Sequence, residues 1–92
     1  MKLDADMPRL FLHARSVNLL AKHGIRTVDD LRDAGPDRVW EIRGVGAKTM
    51  EECELVLFAD MYSWSLERLV YQMFRHFYRI RGKRIIDEVW HG

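Results

Sequence analysis

Apolar residues along the sequence come in short bursts at helical spacing, separated by glycine and proline. In "HARSVNLLAKHG", Val17, Leu19, Leu20 and Ala21 are apolar, Lys22 and His23 make a basic end, and Gly24 follows where a helix C-terminus places glycine. "TVDDLRDAG" opens with Thr27 as N-cap and Asp30 three residues on, a short-armed capping box, and it stops at Gly35. Pro36 then suits the first turn of "PDRVWEI", a short helix carrying Val39, Trp40 and Ile42. After the glycine turn "RGVG", the stretch "AKTMEECELVLFA" predicts a longer helix with Met50, Cys53, Val56 and Leu57 on one buried face. No stretch alternates apolar and polar residues long enough to predict a strand. The expectation is an all-α fold, a compact bundle of short helices.

From "ADMYSWS" onward the composition turns aromatic and basic. The tail reads as a helix to about Arg81, a pause at Gly82 and a short apolar end. Leu66, Leu69, Val70, Met73, Phe74, Phe77 and Ile80 form a wide apolar stripe, while Arg68, Gln72, Arg75 and Arg79 share another face. The chain therefore divides into a helical domain, residues 1–60, and a helical extension, residues 61–92. The stripe offers more apolar surface than a core of this size covers. A homodimer through residues 64–90 is expected, with Leu69, Met73, Phe77 and Ile80 at the interface; folding back onto residues 1–60 is the alternative.

Composition changes this picture little. Residues 1–60 carry nine Lys/Arg against eleven Asp/Glu, and residues 61–92 carry six against three, so the tail is the basic part. A nucleic-acid footprint depends on clustering more than on such totals. The first residues, "MKLDADMPRL", lack a signal peptide's apolar core, and no apolar run reaches bilayer length, so no membrane role and a cytoplasmic setting are expected. The lone Cys53 has no disulfide or CxxC partner and reads as a small buried hydrophobe. His13, His23, His76 and His91 lack ligand spacing, and Glu51, Glu52 and Glu54 lack a base or nucleophile beside them. Neither a metal, a cofactor nor an enzymatic activity is expected.

The glycine turn carries the candidate chemistry. Gly44 and Gly46 allow backbone conformations closed to other residues and let another backbone approach, while Val45 anchors the turn. The next helix begins with unpaired N–H groups at Ala47, Lys48 and Thr49, whose partial positive charge favours an anion, and Lys48 adds a full charge. On these residues alone, a helix-hairpin-helix phosphate grip and a turn that merely joins two packed helices both stay open.

The wider pattern is more specific. Arg15, Ser16 and Asn18; Gly24, Ile25, Thr27, Asp30 and Leu31; and Gly46, Lys48, Thr49 and Glu52 stand in an order and spacing that resembles the C-terminal domain of the bacterial RNA polymerase α subunit, over about residues 8–59. The resemblance implies a bundle that docks on the minor groove of A/T-rich DNA. It implies Arg15 as the groove residue, supported by Asn18, with Gly46, Lys48 and Thr49 on phosphate and Glu52 orienting the cations. A narrow A/T minor groove has enhanced negative potential that attracts arginine.

Three departures qualify the resemblance. Gly44 stands where the family usually has asparagine, which moves the loop toward a general DNA-gripping hairpin. The family's acidic patch for the σ factor is here Arg9, Leu10 and Phe11. No polymerase-assembly domain precedes the bundle and the aromatic tail has no family counterpart, so a free-standing relative is expected. Two functions follow: a DNA-binding module acting in transcription, with Arg15, Asn18, Gly44, Gly46, Lys48, Thr49 and Glu52 at the interface, or a protein-docking module that binds RNA polymerase or another partner without holding DNA.

Overall fold

A computed structural model of the protein describes residues 1–61 together with Trp64 and Trp90. The described residues form a 3-10 helix at Pro8–Leu10 and three α-helices, α1 (Ala14–Lys22), α2 (Val28–Glu41) and α3 (Ala47–Met61). Their only β feature is a single antiparallel bridge between Lys2 and Thr27. The expected all-α bundle is the observed one.

Local chemistry sets each boundary. At the end of α1, Ile25 N–H donates to Leu20 carbonyl and Gly24 N–H to Ala21 carbonyl, with Gly24 at φ +80°. This is a Schellman close, and the hydrophobic pair that accompanies it, Leu20 and Ile25, is fully buried. At the start of α2, Asp30 N–H donates to Thr27 Oγ1 at 3.0 Å and Thr27 N–H to Asp30 Oδ2 at 3.2 Å, so the capping box closes in both directions. The Arg26 N–H also donates to Asp30; that bond foremost, and those with Thr27, hold its carboxyl below the usual carboxylate range. α2 continues past the expected stop, but Gly35 (φ +79°, ψ 164°) breaks its helical path, so two helical pieces meet where glycine and proline stand.

The N-terminal residues are part of the bundle, which the resemblance, beginning near residue 8, did not indicate. Leu3 N–H donates to Arg26 carbonyl at 2.9 Å, and Val28 N–H, an orphan donor at the start of α2, reaches Met1 carbonyl at 2.8 Å. Leu3 is thereby fully buried with Leu12, Leu20, Ile25, Val28, Leu31, Val39, Val56 and Leu57. On α3 the expected Met50, Cys53, Val56 and Leu57 are buried, and so are Glu52, Leu55, Phe58 and Ala59. α2 packs against α3.

α3 runs through Met61, just beyond the expected boundary at residue 60. Two tryptophans from the extension then return to the bundle. Trp64, at φ +58°, has its indole near the Phe11 ring at 6.5 Å and donates to Asp60, which also holds Arg32 of α2. The Trp90 side chain is buried in the core, and its Nε1 donates to Leu31 carbonyl at 3.1 Å. That carbonyl lies in the last turn before the Gly35 break. The expected interface residues Leu69, Met73, Phe77 and Ile80 lie outside the described residues.

Trp90→Ala removes a buried indole and a donor, and is expected to destabilise the protein by about 3–5 kcal/mol. Urea unfolding measures this; an unchanged midpoint would mean that Trp90 does not occupy the core.

Candidate nucleic-acid interface

Two helix N-termini meet at one cleft. One wall is the start of α1, with His13, Ala14, Arg15, Ser16 and Leu19; the other is the glycine turn and the start of α3, with Gly44, Gly46, Lys48, Thr49 and Glu52. The cleft encloses about 540 Å³. It gathers six of the seven expected site residues. Asn18, exposed one turn beyond Arg15 on α1, does not line it.

A buried hydrogen bond joins the two walls. Ser16 Oγ donates to Glu52 Oε2 at 2.7 Å, and both residues are buried, Glu52 only 7% exposed. His13 Nε2 stands 3.5 Å from the other carboxylate oxygen, Oε1. The partners in contact with Glu52 are therefore Ser16 and His13 rather than Arg15 or Lys48. Its effect on those cations is positional: it ties the helix that carries one to the helix that carries the other. A carboxylate with charge-assisted bonds of this kind is held more firmly than a neutral pair would be.

The two glycines do different work. Gly44 lies at φ +98°, a conformation that favours glycine, and a Cβ there would sit a tight 3.3 Å from a Leu19 methyl. Val45, half-buried, packs against the core, and its N–H closes the turn onto Ile42 carbonyl. Gly46 has no positive φ and a Cβ there would meet nothing within 4 Å, so of the two glycines expected to use conformations closed to other residues only Gly44 does so. Gly46 instead accepts the first helical bond, from Met50 N–H, as the cap residue of α3 without a capping side chain. A methyl group at this position would project into open space.

Capping separates these helices from α2. α2, which lines no part of the cleft, has its capping box and Asp29 and Asp30 in its first turn. α1 has no side-chain cap bond from His13 and no acid in its first turn; α3 has a glycine cap and no acid there either. Arg15 and Lys48 each occupy the second helical position, and both are exposed. Cations are unfavourable at a helix N-terminus, and uncapped N–H groups favour an anion. The cleft thus brings together two helix N-termini and two cations, with the buried Glu52 carboxylate between the walls; helix N-termini and cations favour an anion.

Cys53, beside Glu52, is fully buried, and its thiol is pushed up to about 12 by desolvation, with the Glu52 and Glu54 carboxylates adding to the effect. It has no thiolate for nucleophilic work. Among the described residues no three His, Cys, Asp or Glu side chains gather as a metal site, and no helix is long and apolar enough to cross a membrane. Sequence reasoning missed His13 and gave Ser16 no structural task. Their contact with Glu52 spans 36 residues or more and leaves no local pattern; only the joint presence of Ser16 and Glu52 in one motif hinted at it.

The family of the C-terminal domain of the bacterial RNA polymerase alpha subunit matches residues 1–58. The match begins at the first residue, consistent with the burial of Leu3, and ends before the two returning tryptophans. No solved structure matches the protein.

Ser16→Ala leaves the buried carboxylate short of its donor and is expected to cost about 1–3 kcal/mol of stability. Urea unfolding checks this, and an unaltered midpoint would contradict the buried bond.

Proposed function

We propose a DNA-docking function from one premise: the protein belongs to the family of the C-terminal domain of the bacterial RNA polymerase alpha subunit. Domains of this family are non-catalytic modules of transcription that act by contact with DNA and protein. Within that frame, Arg15 enters the minor groove of A/T-rich DNA while the glycine turn, with Lys48 and Thr49, holds a flanking phosphate. Asn18 supports the groove contact from the next turn of α1. The observation that carries this reading is the convergence of two uncapped helix N-termini, each with a cation at its second position, on one cleft. Gly46 adds to it, because glycine there answers to no need of the fold and leaves the cleft open to a backbone.

A second reading rests on a different surface. At the 3-10 helix, Arg9 is exposed and Leu10 is 62% exposed, where the family's acidic patch would stand. A basic and apolar surface there suits a protein partner, RNA polymerase included, and docking through it is compatible with a DNA-filled cleft. For the extension, Trp64 and Trp90 support folding back onto the bundle. A homodimer through Leu69, Met73, Phe77 and Ile80 stays the competing role, and a cytoplasmic setting goes with either. Asp60, where Trp64 is held, lies twelve residues along α3 from Lys48, about 18 Å at 1.5 Å per residue. This anchor of the extension is thus remote from the cleft.

Arg15→Ala is expected to weaken binding to an A/T-rich duplex by about 1–3 kcal/mol and to erase the preference over a G/C-rich duplex. Paired titrations at one salt concentration measure both; equal binding of both duplexes by wild type and variant would favour the docking module. Lys48→Ala is expected to weaken binding alike on every sequence and to lower the slope of log K against log salt by about one. A salt series tests this, and an unchanged slope would place Lys48 away from phosphate.

A further inference from the structure

His13 is the cleft residue that neither the family pattern nor the fold accounts for. It occupies the N-cap of α1, yet its side chain makes no capping bond. The imidazole is 72% exposed at the cleft's edge, and its Nε2 lies 3.5 Å from Oε1 of the buried Glu52. It therefore lines the cleft in contact with a buried carboxylate and is itself open to an incoming ligand.

That position matters because the cleft is not uniformly basic. Arg15 from α1 and Lys48 from α3 attract a phosphate, Glu52 from α3 repels it, and the turn contributes only uncharged Gly44 and Gly46. Ser16 neutralises none of the carboxylate's charge. Histidine is the side chain that gains charge within physiological pH, and a second anion beside it favours the charged form. An arriving phosphate places His13 between two anions. Arg15 and Lys48 oppose protonation, but each then has the phosphate as its own partner.

We propose that His13 is a DNA-contacting residue that takes up a proton when the cleft binds DNA, pairing with phosphate on one side and Glu52 on the other, so that affinity strengthens as pH falls. This rests on the DNA-docking reading. The sign follows from linkage: the complex holds more protons than the free protein, so binding tightens as pH falls until the free protein holds the proton too. Phosphodiesters do not titrate in this window.

The experiment is titration of the full-length protein with an A/T-rich duplex at pH 8 and pH 6 at one salt concentration. Calorimetry in two buffers of different ionisation heat counts the protons. Wild type is expected to bind about two- to fivefold more tightly at pH 6, the range an exposed ion pair supports, with net proton uptake. His13→Gln should lose both the pH dependence and the uptake, whereas His23→Gln, altered at the far end of α1 and outside the cleft, should keep both. Equal pH profiles in wild type and His13→Gln would overturn the proposal, as would a wild type that binds with a flat profile, and either would leave DNA docking intact. A wild type that binds at neither pH would overturn the docking reading and this inference with it.

Discussion

The bond from Ser16 to the buried Glu52 is the constraint on which the cleft depends. α1 and α3 are separated in sequence by the whole of α2, and no covalent feature obliges their N-termini to meet. A neutral hydroxyl held against a buried carboxylate does so with direction as well as energy. Glu52 without a partner would be a buried charge, which is costly, so the two helix starts stay in register or the fold loses stability. With that register fixed, Arg15 and Lys48 face the same space, and Leu19 lies beneath Gly44.

The second feature is an imbalance in how the helices are finished. α2 satisfies its own N-terminus with Thr27, Asp30 and the Met1 carbonyl, as a helix with no ligand must. α1 has no side-chain cap bond, α3 starts from a glycine, and each sets a cation where the dipole disfavours one. Local stability is lower there than it would be with ordinary caps, a deficit that an anion bound at these N-termini would offset. Sites that sacrifice local consistency in this way are commonly functional.

Much of this was legible in the sequence because it is local. The Thr27–Asp30 box, the Gly24 close and the break at Gly35 depend on residues within a few positions of one another, so spacing reveals them. The buried positions Met50, Cys53, Val56 and Leu57 followed from helical period alone. What stayed hidden depends on contacts between distant residues. Burial of Leu3 needs the bridge to Thr27, Glu52 meets Ser16 from another helix, and Trp90 reaches Leu31 over 59 residues. Gly46 shows a subtler limit, since glycine in a turn suggests a special conformation, whereas here it has no positive φ and borders open space.

Whether the two helix N-termini act as one phosphate-binding unit is tested most directly by backbone amide resonances. In a nitrogen-15 titration of the full-length protein with an A/T-rich duplex, the amides of Ala14, Arg15 and Ser16 are expected to shift together with those of Ala47, Lys48 and Thr49, with one common affinity. Shifts confined to one of these sets, or centred on Arg9 to Phe11 while the cleft amides stay still, would contradict it.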